Sequence, residues 1–549
     1  MRKTILISLL ILGVIAVSFF LYLKHRKLDD FEPQIKAKLQ ELIKTGSGGL
    51  YVLEVDKINA DVVKSRIILS NIHLTYDSAV YKSMIKSNTA PADLFTLRLK
   101  SLAVDGITPV DLLKKKNLNL NIIYVDQPQL EIFHHNSNKK DGSQDTGSFY
   151  QRIRNELGSF ELKKLLLRNL DLTYHNMQNK VQSSFKDLFI EFDSILVNSE
   201  TQFDTTRFLY AKDATISLKD FMHKTADSIY TLKLDSIAIK AARNIVTIKN
   251  LQLAPRVTKA EYRKIMKVRK DRYSINVNDI VLDNINWWRF LADEGLFIGN
   301  GTIANGDIEV YSDKGIPAGN EKKIGGYPHQ QLFKADLPLY VGKIGVKRLN
   351  VTYSERNIKT GKEGDLVFKN TYATLNNITN IADSIKRRPN MTIDATSSFM
   401  GSGALKAGFN FSLARQKEGI FSVYADLGEL DGTVLNKAVV PLASVEIEKA
   451  RLRRLKVNIN GNNYDARGKI LLTYTDLKIQ VLKKDDDGSL KNRGLVSFIA
   501  NNFKINKEYP KKGEKAEAFN SYHKRPLEKS FFSLIWKTIF GGLKQTVGI

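Results

Sequence analysis

The chain has 549 residues, with 84 Lys and Arg against 58 Asp and Glu, a formal net charge of +26. Hydrophobic residues at 43% and aromatics at 9% exclude a mainly disordered chain. The lack of Cys excludes disulfide frameworks, Cys-based zinc sites, iron–sulfur clusters and thiol nucleophiles, and the positive excess favours an anionic partner.

Thr4–Leu23 is an apolar run that, as a helix, spans about 30 Å, the thickness of a bilayer's hydrocarbon core. Phe19–Leu23 run straight into Lys24-His25-Arg26-Lys27 with no small-residue cleavage site, so residues 1–27 predict a retained membrane anchor. Basic residues balance across it and leave its orientation open. Residues 28–49 predict a linker helix. Asp29 and Asp30 precede it, Pro33 lies in its first turn, Ile35, Leu39, Leu42 and Ile43 share a face, and Gly46, Gly48 and Gly49 stop it.

From 50 to 505 the dominant period is two. Strands are predicted at Ser65–Tyr76, Leu94–Val104, Leu118–Phe133, Glu161–Tyr174, Leu188–Val197, Tyr230–Ile239, Ile245–Leu253, Tyr273–Leu282, Leu339–Tyr353, Leu405–Leu413 and Lys469–Val481, each with one dry and one wet face. Short helices are predicted after Pro109 and over Gln151–Leu157. Polar breaks fall at 134–147, 312–329, 354–364, 483–493 and 506–526, the first and last reading as mobile loops. None separates halves of different composition, so 50–505 reads as one β body.

Four strands repeat a word of apolar, any, apolar, Thr, Tyr: Ile72–Tyr76, Leu170–Tyr174, Leu349–Tyr353 and Ile470–Tyr474. Period two places Ile68, Ile72, Leu74, Tyr76, Leu166, Leu170, Leu172, Tyr174, Leu349, Val351, Tyr353, Ile470, Leu472 and Tyr474 on the dry faces, as candidate liners of a lipid groove or members of a closed core. A sheet of this size, with few helices to cover it, has two outcomes. It packs as sandwiches with sealed cores, or it curls into an apolar trough that acyl chains fill at roughly 25 cal/mol per Å².

Arg256–Arg272 carries eight Lys and Arg against two acids. It reads as a solvated connector or as a contact with anionic headgroups through Arg263, Lys264, Lys267, Arg269 and Lys270. In 506–549 a polar segment precedes an amphipathic helix over Pro526–Val547. Leu527, Phe531, Ile535, Ile539, Leu543 and Val547 form its stripe, widened by Phe532, Trp536 and Phe540. That helix lies in a bilayer interface or caps the last strand, and Gly541-Gly542 weaken it.

Catalytic signatures are poor. Gly299–Ala304 superficially fits a dinucleotide fingerprint, but a strand follows where a helix is required, so it reads as a hairpin turn. Asp485–Gly488 lacks the spacing of a calcium loop, and His134-His135 have no third metal ligand nearby. No enzyme chemistry, metal, cofactor or nucleic-acid partner is expected. Paired carboxylates of a glycan-active enzyme stay open, because their separation is spatial.

The order of elements resembles the AsmA-like family, related to TamB and the chorein-type bridge-like lipid transfer proteins. The matching residues are the anchor with Asp30–Ile35, Leu53–Ile58, Ser70–Leu74, Pro109–Leu113 with Leu118–Ile122, Val125–Ile132, and Ala466–Lys469 leading to Leu472–Lys478. The resemblance implies a mainly β fold: a long twisted, curled antiparallel sheet forming an apolar groove, with one N-terminal transmembrane helix. It implies a single-pass bacterial inner-membrane protein whose bulk lies in the periplasm. There it would bind or convey phospholipid in outer-membrane lipid homeostasis, with envelope protein partners possible. A non-conducting envelope scaffold or tether with a sealed β core is the alternative.

Overall fold

A computed structural model describes residues 31–61, 64–91, 93–106, 117–134, 150–151, 154, 158–175, 181–225, 227–292, 294–484, 490–491 and 505–548. The expected anchor Thr4–Leu23, the short helix after Pro109, most of the one over Gln151–Leu157, His135 and Asp485–Gly488 lie outside these residues.

Among the described residues the chain is mainly β, 57% strand and 18% helix. The strands are β1 (Tyr51–Asp61), β2 (Arg66–Tyr76), β3 (Asp93–Asp105), β4 (Asn117–Asp126), β5 (Gln129–His134), β6 (Ser159–His175), β7 (Val181–Val197), β8 (Asp213–Lys224), β9 (Tyr230–Lys240), β10 (Ile245–Pro255), β11 (Arg272–Ile285) and β12 (Leu296–Asp313). They continue as β13 (Leu339–Arg356), β14 (Glu363–Thr379), β15 (Asn390–Phe399), β16 (Gly403–Ser412), β17 (Phe421–Leu427), β18 (Leu430–Asp431), β19 (Val445–Gly461), β20 (Asp465–Val481), β21 (Lys483–Lys484), β22 (Leu490–Lys491) and β23 (Phe519–Lys524). Twenty-one belong to one twisted sheet, and β21 and β22 pair separately. The helices are α1 (Phe31–Gly46), α2 (Ser78–Lys86), α3 (Lys259–Ile265), α4 (Trp287–Leu291), α5 (Pro328–Leu332), α6 (Ala382–Arg387), α7 (Asn436–Ala443) and α8 (Phe531–Val547). The chain divides into two compact units, residues 1–223 with 234–247, and 224–233 with 248–549.

In the first unit β1, β2 and β3 are antiparallel neighbours. β4 and β5 lie end to end along β3, broken at the left-handed Gln127 and at Pro128, and both run parallel to β6. The antiparallel sheet expected from the resemblance is therefore mixed. Cross-strand rows such as Leu53–Leu74–Leu97–Leu130 and Ile58–Leu69–Leu102–Val125 are buried throughout. Each such side chain contributes about 1.5–3 kcal/mol on burial. α1 ends at Gly46, as its glycines predict, and lies along β1 with Leu39 and Ile43 buried and Gln40 Nε2 donating to Leu53 O at 3.0 Å. This core is closed.

Many strands hold a non-glycine residue in the left-handed region, among them Asn71, Asn169, Asn305, Arg348 and Asn370. Asn tolerates that conformation through its short polar side chain, and such a residue adds local twist. The alternation slips there by one. In β2 the buried residues are Ile67 and Leu69 before Asn71, then Ile72 and Leu74 after it. In β6, Leu167 and Leu170 bracket Asn169 in the same way. Ile68 and Leu166 are thus displaced from the dry face where unbroken period two put them.

In the second unit β11 and β12 are antiparallel and β12 and β13 parallel over their whole length, the crossover being 314–338 with α5. From β13 the strands β14, β15, β16, β17, β19, β20 and β23 follow as antiparallel neighbours, with β18 continuing β17 along β19. Two expectations need correction. Gly299–Ala304 lies inside β12 and forms no turn. A Cβ on Gly301 would stand 2.4 Å from Ile344 Cδ1 and 3.0 Å from Leu282 Cδ2, so glycine fits where neighbouring strands carry large side chains. The polar stretch 506–526 contains β23, hydrogen-bonded to β20.

α8 covers β20 and β23. Its serine cap, Ser530, accepts from Ser533 N–H, and Gly548 ends it in the left-handed conformation. Gly541 and Gly542 do not interrupt it. A Cβ on Gly542 would stand 2.5 Å from Ile470 Cβ, and one on Gly541 would stand 2.4 Å from Ser521 Oγ, so the glycines let the helix backbone approach the sheet. Phe531, Leu534 and Ile535 join Tyr327, Phe411, Phe421, Val423, Val457, Ile459 and Ile470 in one core.

His329 is buried in that region, stacked on Phe411 at 5.0 Å, and neither ring nitrogen has a hydrogen-bond partner. Burial pushes its pKa down to about 4. Because the folded value lies below the unfolded value near 6.5, stability is full above that pH and falls as pH drops from about 6.5 to 4. The loss across this window is about 3 kcal/mol. His329→Leu is expected to remove it: urea unfolding at pH 4.5 and 7 should then differ less than in the parent, and an unchanged difference contradicts the assignment.

Candidate functional site

Paired residues in a sheet share a face, so the registers of the second unit give its apolar surface directly. Tyr273, Val310, Tyr353 and Leu366 form one row, and Ile275, Ile308, Val351, Phe368 and Phe399 the next. Further along the strands, Ile280, Ile303, Val346, Ala373, Ala395, Ala407, Ala425, Val457 and Ile470 form a third. Leu282, Gly301, Ile344, Leu375, Ile393, Phe409, Val423, Ile459 and Gly468 form a fourth. The first two rows are separated from the others by Asn305 in β12, Arg348 in β13 and Asn370 in β14, with the same slip that keeps Leu69 and Ile72 on one face in β2.

The surface changes character along its length. Beneath α8 it is closed: Ile470 meets Gly542, and a Cβ on Gly468 would stand 3.0 Å from Thr538 Cγ2. Across β11–β14 most of it is half-buried, including Ile275, Ile280, Ile303, Ile308, Val310, Val346, Val351, Tyr353, Leu366 and Phe368. The helices α3 to α7 of this unit have five to eight residues, too few turns to roof four strands of 14–18 residues. Tyr353 Oη donates to Glu355 Oε2 at 2.8 Å, and burial, reinforced by that carboxylate, raises its pKa.

The basic segment is held at the same end of these strands but on the other face of the sheet, since Glu309, Tyr311 and Asp313 alternate with Ile308 and Val310. Lys259 Nζ reaches Glu309 at 2.8 Å and Glu363 at 2.9 Å, and lies 4.6 Å from the centre of the Tyr311 ring. Asp313, 0% exposed, accepts from Arg263 Nε at 2.6 Å, Gly315 N at 2.7 Å, Tyr311 Oη at 3.0 Å and Arg356 Nη1 at 3.4 Å. Burial opposes its charge, but these donors outweigh it and hold the carboxyl below the usual range. Arg269 donates to Ile316 O at 3.0 Å and Lys314 O at 2.9 Å. Tyr262 packs with Ile229 and Ile316 beneath the segment. Of the five headgroup candidates, Arg263 and Arg269 therefore hold protein, whereas Lys264, Lys267 and Lys270 are exposed beside the exposed Ile265 and Val268.

Of the fourteen candidate liners, Ile68 and Leu166 are displaced from the dry face, and the other twelve separate into three groups. Ile72, Leu74, Leu170 and Leu172 lie in the closed core of the first unit. Beside it, Tyr76 meets Phe133 edge-on at 6.1 Å and Tyr174 stacks near His134 at 6.4 Å. Ile470, Leu472 and Tyr474 are buried at the C-terminal end, Tyr474 Oη donating to Asn506 O at 2.8 Å. Leu349, Val351 and Tyr353 lie on the β11–β14 surface, Leu349 buried and the other two half-buried. Selection by the Thr-Tyr word missed Ile275, Ile308, Val310, Leu366 and Phe368. The signal for them was the Asn at 305 and 370 shortly before or after an alternating run, the same mark that stands before Ile72 and Leu170.

His134 Nδ1 lies 2.7 Å from Asp93 Oδ1, but among the described residues no group of three or more His, Asp or Glu is placed to hold a metal. Among the same residues no helix is long and apolar enough to cross a membrane. No family model matches the chain, and no curated protein matches it.

Proposed function

We propose that the chain binds phospholipid acyl chains on the apolar surface of β11–β14, as the resemblance to AsmA-like proteins implies. The observation that supports this is the contrast in burial: apolar rows are closed in the first unit and mostly half-buried across β11–β14. Hydrocarbon is the occupant that such a surface favours, at about 0.8 kcal/mol per methylene removed from water. On this reading the surface is the floor of an apolar groove, Lys264, Lys267 and Lys270 meet headgroup phosphates at its end, and no catalysis is involved. Thr4–Leu23 would anchor the chain in a bacterial inner membrane, with the remainder in the periplasm serving outer-membrane lipid homeostasis. A non-conducting envelope scaffold is the second reading, and the closed core of the first unit favours it for that part of the chain.

Purification of the full chain in mild detergent, followed by native mass spectrometry, tests the proposal. Bound phospholipid is expected with the parent, and at least tenfold less with Val351→Asp at unchanged β circular dichroism. Lipid-free parent protein from several detergents overturns it.

A further inference from the structure

We infer that α8 carries, besides the face that closes the sheet, a second face that rests on an anionic bilayer surface. The two faces are distinct. Phe531, Leu534, Ile535, Thr538, Gly542 and Thr546 are buried against the sheet. Phe532, Trp536 and Phe540 stand 64%, 50% and 40% exposed, at intervals of four residues and so in one row along the helix. Trp536 and Phe540 stack at 6.3 Å, and Lys544, the next position in the row, lies 5.1 Å from the Phe540 ring centre.

The helix cannot turn this row inward. Its glycines lock against Ile470 and Ser521, and Ser521 Oγ donates to Thr538 O at 2.6 Å. At its start the buried Arg525 donates to Asn463 O at 3.0 Å, Lys323 O at 2.9 Å and Lys529 O at 2.8 Å, with its guanidinium 4.8 Å from the Tyr327 ring centre. The aromatic row is therefore presented outward by a rigid mount.

Charge selects the occupant. Between Pro526 and Gly548 the basic residues are Lys529, Lys537 and Lys544, and the only acid is Glu528. Tryptophan and phenylalanine flanked by lysines suit the boundary between headgroups and acyl chains, where the rings enter the apolar zone and the ammonium groups meet phosphates. A second copy of this chain would bring the same positive charge against itself. The contact does not depend on lipid occupying β11–β14.

The sequence holds three Trp, so Trp287→Phe with Trp288→Phe leaves Trp536 as the sole indole reporter in the full chain. This protein would be reconstituted into vesicles of phosphatidylcholine alone, or with phosphatidylglycerol added, each made with brominated acyl chains. Trp536 emission should be quenched at least twofold in the anionic vesicles and much less in the neutral ones. The quenching should fall on adding salt, and also with Lys529→Glu, Lys537→Glu and Lys544→Glu combined. Phe532→Ser with Phe540→Ser should abolish it while helix circular dichroism is kept. Unquenched emission in anionic vesicles overturns the inference, as does quenching indifferent to lipid charge and salt. A dimer in detergent that Phe532→Ser with Phe540→Ser dissolves would instead assign the row to a second copy and also overturn it.

Discussion

Ile72→Asp is expected to unfold the first unit, with a loss of roughly 5 kcal/mol. Ile72 is 2% exposed and sits between Val55 on β1 and Leu99 on β3, both buried. The substitution removes a buried aliphatic side chain and leaves a carboxyl with no partner in a closed core. Urea unfolding monitored by circular dichroism should show an early transition or loss of part of the β signal. Val351→Asp, on the half-buried surface of the second unit, should cost far less, because its carboxyl keeps access to water. If the two variants are equally stable, the closed core of the first unit is contradicted.

Asp313→Asn is expected to cost about 3 kcal/mol, since it leaves Arg263 and Arg356 facing a group that cannot balance their charge. Loss of a buried partner is costly because the remaining charges stay desolvated, and partial exposure of both arginines keeps the cost at the lower end. The segment carrying Lys264, Lys267 and Lys270 should loosen, so trypsin should cleave within 256–272 faster than in the parent. The carboxyl's folded pKa lies below its unfolded value near 3.9, so its contribution is present above that pH and is lost as pH falls through the folded value. At pH 7 the difference between parent and variant should be full, and it should shrink as pH falls through the folded value. Unchanged proteolysis and stability at pH 7 would show that Asp313 does not pin the segment.

Period two made the β class legible, because a half-wet strand must alternate, and strands such as Ser65–Tyr76 and Leu94–Val104 lie within about a residue of β2 and β3. Other strands did not announce themselves. β14 has a slip at Asn370 and another left-handed residue at Asn377, so no window of its sequence keeps one phase for long. The same effect displaced Ile68 and Leu166, since one left-handed residue moves every later side chain to the other face. The parallel pairing of β12 with β13 depends on a crossover whose path leaves no mark on the strands themselves. Gly541-Gly542 read as a weak point because propensity takes no account of what lies opposite, and opposite them are Ile470 and Ser521. The basic segment was legible as charge, but which guanidiniums are spent inside the protein depends on Asp313, some fifty residues away and invisible to local pattern.

The most direct test places a photoreactive benzoylphenylalanine at Ile308, at Val351 or at Leu74 of the full chain in native membranes. If acyl chains lie along β11–β14, the first two positions crosslink to phospholipid and the position in the closed core of the first unit does not. If positions 308 and 351 yield only crosslinks within the protein, with lipid labelling no greater than at position 74, that surface is filled by the chain itself and carries no lipid.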